Sequence, residues 1–566
     1  MKHMEVVLPT NSHIAEEVVG IDSAGADSTV EGGDFPALAT QNSLSRTCRS
    51  DVGRTSIGHH TSGALLDIIL EADTKATLAA SVQPVDRGPA GPAAGSGTTA
   101  AVPTACSGAP MPPSTDTSLS LMSSWQYRVT GNGAVAQVLM DIGCEHIKSG
   151  GPRGIQEVAI RHILRHDIDS DSIYCIDLAA PFRLFKAWRA AMPRVLPYYA
   201  VKCYPEPAIL KLLMALGAGF DCASKGELDM MLRMGVTPGR IIFAHPCKRS
   251  CDFQYAREHG IQFTTFDTVS ELHKVAEMDP EFKLVLRIRA DDPGARVPLG
   301  LKYGAEVSEA PALLRTARDL GLECCGVSFH VGSAAKNLAT FTNAIENARK
   351  VFDEAASLGY RMDLLDIGGG FTGHFDELGN VMFGEIANTI NAALAKYFPP
   401  GGELGDVRVI AEPGRYFAET SSTLLTPVIG QRDRVAKDGS IHKDYWLTDG
   451  LYGSFNCIVY DGQNPEYRVI RSPVQPEPID TRPYVSTLWG PTCDSADVVY
   501  KDVTLPALRN GDWLLWPNAG AYTVAGACDF NGIEFTHPCK VYVWSDSVVD
   551  PQEEQEQGGE VAGEGH

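Results

Sequence analysis

The chain has 566 residues, of which 44% are hydrophobic and 21% charged, enough for more than one domain with a sizeable core and an ordinary soluble surface. Its formal net charge of −22 excludes a nucleic-acid partner, because phosphate backbones are met by Lys/Arg stripes and the sequence carries none. The 14 cysteines are too few for a disulfide scaffold in a chain this long, and Cys247 and Cys251 have no second pair with which to form a zinc site, so no metal is expected.

The N-terminus contains Glu5, Glu16 and Glu17 and lacks an apolar signal core, and no apolar run is long enough to span a membrane. The protein is therefore expected in the cytoplasm with reduced thiols, away from membranes. Residues 1–124 are rich in Gly, Ala, Ser, Thr and Pro, as in GPAAGSGTTAAVPTACSGAP. They hold too few large apolar side chains to offset the entropy of ordering, and are read as a disordered extension. Residues 125–176 are expected to add strands to a later β-domain, with EVAIRHIL and SIYCIDL as the candidates.

Across residues 177–418 short apolar runs alternate with amphipathic stretches. YYAVK precedes PAILKLLMALG, GFDCAS precedes KGELDMMLRMG, and the pattern continues through IIFAHP, QFTTFD, KLVLRIR, CCGVSFHVG, LLDIGGGF and VRVIAEPGRY. Continuous apolar runs suit strands buried on both faces, and the intervening stretches have helical spacing. Eight such units predict an α/β fold, a closed (β/α)₈ barrel rather than an open doubly wound sheet. Residues 419–549 switch to short β-like runs divided by Gly, Pro and Asp, an antiparallel β-domain. Residues 550–566 form an acidic tail without core residues, also read as disordered.

Barrel chemistry sits at the C-terminal ends of the strands, and polar residues recur there. Strand one ends in Lys202, strand two carries Asp221 and Ser224, and strand five carries Arg287 and Arg289. Strand six ends in His330 and Ser333, strand seven in Gly368-Gly369-Gly370, and strand eight in Glu412-Pro413-Gly414-Arg415. Glycines let backbone N–H groups approach an anion and Arg415 offers a bidentate donor, so the loops after strands seven and eight predict a phosphate site; a tight turn is the other reading of the glycines. Lys202 lies in an apolar strand, where an amine titrates readily and can form a Schiff base, or else snorkels to solvent. Glu412 could hold a pyridine nitrogen or pair with Arg287 or Arg415, and His330 could stack on a ring or be a core histidine.

The blocks YYAVKC, FDCASKGEL, HPCK, LVLRI, GVSFHVGS, LLDIGGGF, AEPGRY, DGLYGSFNCIVYD, WGPTCDSAD and GAYTVAGACDFNG resemble a known family. It comprises the group IV, fold type III decarboxylases of ornithine, arginine, lysine and diaminopimelate, which use pyridoxal 5′-phosphate (PLP), and the pattern is nearest to the eukaryotic ornithine decarboxylases. The resemblance implies an alanine racemase-like barrel with Lys202 as the Schiff-base lysine and His330 stacked on the cofactor ring. It assigns the cofactor's phosphate to Ser333, Gly369, Gly370, Gly414, Arg415 and Tyr522, with Pro413 beside them. Glu412 would face the pyridine nitrogen, with Asp221, Glu227 and Arg287 in support. Tyr460, Asp461 and Asp494 would bind the substrate, and Cys493 would return a proton to the α-carbon. It further implies a head-to-tail homodimer with shared active sites, in which Lys302 and Asp497 form a cross-subunit salt bridge. The activity implied is conversion of L-ornithine to putrescine and carbon dioxide, the first step of polyamine biosynthesis. A lysine or arginine decarboxylase, or a non-catalytic relative of antizyme inhibitor, is the alternative, and an antizyme-like regulator is a partner that such a protein would have. Without the resemblance, Cys493 would read as a buried small residue and Asp494 as a turn residue.

The sequence departs from this pattern in three places. Tyr204 replaces an amide after the lysine motif, Gly462 replaces a histidine after the substrate aspartate, and the N-terminal extension is unlike the compact animal enzymes. A glycine at 462 leaves room at the substrate's far end and is expected to relax the preference for ornithine over lysine.

Overall fold

Two strands, β1 (Glu145–Ser149) and β2 (Ile173–Asp177), precede the alternating region. The apolar runs then become β3 (Val195–Ala200), β4 (Gly219–Cys222), β5 (Ile241–Phe243), β6 (Phe263–Phe266), β7 (Lys283–Arg287), β8 (Cys324–Ser328), β9 (Leu364–Asp366) and β10 (Arg408–Ala411). In the computed structural model, which describes residues 123–166, 171–290, 292–376, 379, 381–472 and 480–548, these eight pair in parallel. They close as a barrel, with β10 returning to β3 in the register Ala411 to Pro197. All four residues of β4 and all five of β8 are buried, as expected of strands covered on both sides.

The connecting helices follow local signals. The helix Pro207–Leu216 begins with proline in its first turn and a Glu206 side chain accepting from Ala208 N, and stops at Gly217, whose φ of 92° suits glycine. The helix Lys225–Arg233 is capped by Ser224. Trp188 is fully buried between barrel and flanking helices, with its ring centroid 4.8 Å from Phe371 and 5.2 Å from Tyr416. Truncating it to alanine would cost about 3–5 kcal/mol.

The remaining strands are β11 (Ser422–Val435), β12 (Ile441–Leu447), β13 (Arg468–Ile470), β14 (Pro483–Trp489), β15 (Val498–Pro506), β16 (Trp513–Trp516) and β17 (Cys539–Ser547). Together with β1 and β2 they form a nine-stranded sheet ordered β1-β17-β2-β11-β12-β14-β15, with β16 joining β11 to β13. Pairing is antiparallel along β11 and in the β14–β15 hairpin, and parallel where β17 lies between β1 and β2 and where β12 meets β14. SIYCIDL supplies β2, but EVAIRHIL does not supply a strand. It lies in the helix Pro152–His166, because Ile155, Val158 and Ala159 recur at helical spacing and bury together against the sheet. The extension and tail expected to be disordered lie, apart from Ser123 and Ser124, outside the described residues.

One seam between barrel and sheet positions the site. Tyr522 N donates to Cys203 O at 3.0 Å. Glu206 accepts from Tyr542 at 2.8 Å and pairs with Lys540 at 2.7 Å, so β17 grips the segment that follows Lys202. Tyr204 belongs to this seam: it is 2% exposed, packs near Tyr174 and accepts from the Tyr199 hydroxyl through its own carbonyl at 2.9 Å. Among the described residues no helix is long and apolar enough to cross a membrane, and no cluster of His, Cys, Asp and Glu could hold a metal ion.

Candidate active site at the barrel mouth

Lys202 sits on a short 3₁₀ turn, Val201–Cys203, where β3 ends. Its Nζ donates to Asp221 Oδ2, which is fully buried on β4 and in register with Ala200. Burial acts to lower the lysine's pKa, but the carboxylates of Asp221 and Glu412 outweigh it and hold the ammonium above its ordinary value. Glu227, in the first turn of the helix after β4, accepts from Ala223 N at 2.6 Å; burial pushes its pKa up against that hydrogen bond.

The floor of the mouth is acidic. Glu412 follows β10 and Asp366 ends β9, the neighbouring strand of the barrel. Burial, then the neighbouring acids, lifts Glu412 well above the usual carboxylate range, and Asp366 is pushed up to about 7, chiefly by burial. Both carboxyls are thus displaced toward their protonated forms, because neighbouring like charges repel in a low dielectric. Asp366 escapes sequence reasoning: its signal is an acid inside the apolar run LLDI, one strand from Glu412.

His330 follows β8. Its Nδ1 accepts from Gly332 N at 3.0 Å, which leaves the proton of the neutral ring on Nε2. Burial, then the charges of Arg287 and Lys202, keeps the imidazole well below its ordinary pKa. Arg287, at the end of β7, lies 5.6 Å over the Tyr303 ring. Gly369 is required here, since a Cβ would stand 2.6 Å from His330 Nε2 and 2.9 Å from Glu412 O. Gly370 has a φ of 114°, a conformation that glycine tolerates. Gly414 admits Cys203, whose Cβ would lie 2.8 Å from a Cβ added there, and Pro413 O accepts from Ala200 N at 3.3 Å.

Arg415 is 3% exposed. It donates to Ser333 Oγ at 3.1–3.2 Å, to Glu419 at 3.2 Å and to both Asp461 oxygens at 2.6 Å, and it faces the Tyr522 ring at 5.1 Å. Asp461 also accepts from Gln463 Nε2 at 2.7 Å. Gly462 has a φ of 61°, and a Cβ there would meet only Arg296, at 3.9 Å. It lines a cavity of about 320 Å³ together with Arg296, His374 and Glu419. Gln463 reaches Asp461 beside Arg415, and the absence of a side chain at Gly462 leaves its wall of the cavity open.

The structure thus brings Lys202, Asp221, Glu227, Arg287, His330, Ser333, Gly369, Gly370, Glu412, Gly414, Arg415, Tyr522 and Asp461 to one mouth. Three further expected residues lie outside these contacts in the single chain. Tyr460 is 76% exposed. Cys493 is exposed in the turn between β14 and β15, its N–H donating to Asn531 Oδ1 at 2.9 Å, and Asp494 accepts from the Tyr452 hydroxyl. Asp497, expected to reach a lysine of another subunit, is 1% exposed. It accepts from Leu451 N at 2.7 Å and from Thr492 N and Oγ1 at 3.1 and 2.7 Å. Within the single chain it braces its own turn.

The cradle fits a phosphorylated pyridoxal. The close-packed glycines leave space that any Cβ would fill, Ser333 and Arg415 sit at an anion's end of it, the acid pair lies on its floor and Lys202 on its wall.

Comparison with known proteins agrees. Residues 180–419 match the family described as "Pyridoxal-dependent decarboxylase, pyridoxal binding domain". Ornithine decarboxylase of Schizosaccharomyces pombe is 43% identical over 384 residues, covering 67% of this chain and 85% of that protein. Antizyme inhibitor 2 of Xenopus laevis is 42% identical over 389 residues, covering 68% and 83%. Among solved structures, the arginine decarboxylase of Paramecium bursaria Chlorella virus bound to agmatine is 37% identical with a TM-score of 0.62, covering 68% of this chain and 99% of that one.

Proposed function

Since the chain belongs to the family of pyridoxal-dependent decarboxylases, we propose that it removes the α-carboxylate of a basic amino acid, preferring L-ornithine and releasing putrescine, the entry reaction of polyamine biosynthesis. The observation that carries the reading is the convergence at one barrel mouth of the Lys202–Asp221 ion pair, the Glu412–Asp366 acid pair and the Ser333–Arg415 cradle. When bound, PLP supplies the conjugated ring that takes up the electron pair left as carbon dioxide departs.

The protein's own groups do the rest. Lys202 would hold the cofactor's carbonyl carbon through Nζ, and Asp221 orients that amine and takes its charge. Glu412, with Asp366 on the neighbouring strand, would face the ring nitrogen and hold it protonated. His330, neutral and fixed through Nδ1, offers a flat uncharged face. Ser333 and Arg415 would anchor the phosphate, and Tyr522 closes that end.

The basic amino acid is read from the carboxylates. Asp461 lies beside the cradle, and Asp494 stands on the exposed β14–β15 turn. Two acids at a substrate's far end favour an ammonium over a neutral group. Cys493 is exposed, Asp494 beside it is half-buried, and both are far in sequence from Lys202, which is what a second copy of the chain would need in order to complete the site with them. Cys493 would then give its thiol proton to the α-carbon. A second reading is a regulator without catalysis, favoured by the 42% identity to antizyme inhibitor 2, for which an antizyme-like protein is the partner.

Measuring kcat/KM for carbon dioxide release from ornithine, lysine and arginine in parallel tests the proposal. Ornithine should lead, lysine should follow within one to two orders of magnitude, since one methylene is worth about 1–3 kcal/mol, and arginine should trail. A lead by lysine or arginine would overturn the assignment of the substrate.

A further inference from the structure

Cys493 lies outside the barrel, in the turn between β14 and β15, so its placement depends on that turn. Within residues 491–497 most anchors come from the turn's acids. Asp497 accepts from Thr492 N and Oγ1, Asp494 accepts from Ala496 N at 2.9 Å, and Asp494 N donates to Thr492 Oγ1 at 3.4 Å. Cys493 differs: its N–H is held from outside the turn, by Asn531 Oδ1 at 2.9 Å.

Asn531 is built for this. Its backbone is left-handed, φ 58° and ψ 12°, a conformation that asparagine adopts more readily than most residues and that lets its carboxamide reach across to another loop. Its neighbour Phe530 stacks on Tyr452 with centroids 4.1 Å apart, and Tyr452 donates to Asp494. Two consecutive residues, Phe530 and Asn531, therefore hold two other consecutive residues. Phe530 acts on Asp494 through Tyr452, and Asn531 acts on Cys493 directly.

We infer that Asn531 is a positioning residue for the proton-returning step, fixing the Cys493 peptide plane and hence the direction in which its thiol projects. This rests on the reading of Cys493 as proton donor. Fixing one peptide plane narrows the arc through which the Cα–Cβ vector can swing, and a misplacement of about 1 Å at a reacting group can cost on the order of 100-fold in rate. The step needs no further reactant: the S–H bond breaks, a C–H bond forms at the α-carbon, and the thiolate regains a proton from solvent.

The test uses PLP-loaded full-length protein and three variants. Asn531→Gly keeps the left-handed backbone but removes the acceptor, Asn531→Asp keeps both, and Cys493→Ala is the reference for a lost donor. The first readout is the rate at which iodoacetamide alkylates Cys493, followed by peptide mass spectrometry without substrate. It should rise several-fold in Asn531→Gly and stay within about twofold in Asn531→Asp. The second is turnover: kcat of Asn531→Gly should fall about 10- to 100-fold with KM within threefold, and Asn531→Asp should recover most of it. The third is the product, since a proton delivered to the cofactor's carbon instead of the α-carbon yields carbon dioxide, an amino aldehyde and pyridoxamine phosphate. The aldehyde should increase in Asn531→Gly and in Cys493→Ala. Wild-type alkylation, kcat and product in Asn531→Gly would overturn the inference. If Cys493→Ala itself behaves as wild type, the reading of Cys493 fails first.

Discussion

Replacing Gly369 with alanine tests the cradle with a single methyl group. The added Cβ would lie 2.6 Å from His330 Nε2 and 2.9 Å from the Glu412 carbonyl, where ordinary contact begins near 3.4 Å. The carbonyl is backbone and is tied down, because Glu412 N donates to Gly368 O at 2.7 Å. The imidazole is therefore the side that yields, moving by most of an ångström into the space assigned to the cofactor ring. Overpacking of this kind costs about 1–3 kcal/mol, and if the cost falls on the cofactor complex it weakens PLP binding by about 5- to 150-fold. Equilibrium titration of cofactor-free protein with PLP, followed by intrinsic fluorescence, measures this directly. Gly384→Ala is the control, since nothing lies within 4 Å of a Cβ there and the residue opens the helix Gly384–Tyr397. Unchanged PLP affinity in a stably folded Gly369→Ala protein would refute the assignment of this loop to the cofactor.

Lys202→Ala should abolish borohydride-trapped PLP, and mixing it with Cys493→Ala should restore about a quarter of wild-type turnover as subunits exchange, half the dimers being mixed with one intact site each. No recovery despite demonstrated exchange would place each site within a single chain. Asp221→Asn removes the main charge holding Lys202 above its ordinary value, while burial still lowers it. The amine should thus be deprotonated at lower pH and reductively methylated faster at pH 8; a slower reaction would contradict the pairing. Asp366 binds its proton more tightly in the folded protein, with a pKa of about 7, than in the unfolded chain, where it is near 4. Its contribution to stability is complete below pH 4 and is lost as pH rises through 7, so Asp366→Asn should flatten the fall in Tm of the cofactor-free protein between pH 5 and 8.

Much of this was legible in the sequence because two strong signals coincide. The apolar runs of β3 to β10 are buried on both faces, and polar residues at their ends have no reason to recur unless the ends converge. That reasoning reached Lys202, Glu412, Arg415 and the glycine loop. It did not reach Asp366, whose place inside an apolar strand looks like an exception until the strand beside it is seen to carry Glu412. EVAIRHIL was misread because a short apolar run carries strand and helix periodicities at once, and only the sheet it packs on decides between them. The hydrogen bonds that Asp497 accepts inside its own turn and the left-handed backbone at Gly462 are three-dimensional facts that no motif spells out. Asn531 gave no signal, since its function depends on a left-handed φ and on a turn 38 residues away.

The most direct test of the account is carbon dioxide release from carboxyl-labelled ornithine by PLP-loaded wild-type protein, quantified against the diamine formed and repeated with Lys202→Ala. The account predicts carbon dioxide and putrescine in equal amounts over many turnovers from the wild type, and neither from the variant. Wild-type protein that traps PLP on Lys202 yet releases no carbon dioxide would contradict it, and would identify the chain as a regulator that retains the cradle without the reaction.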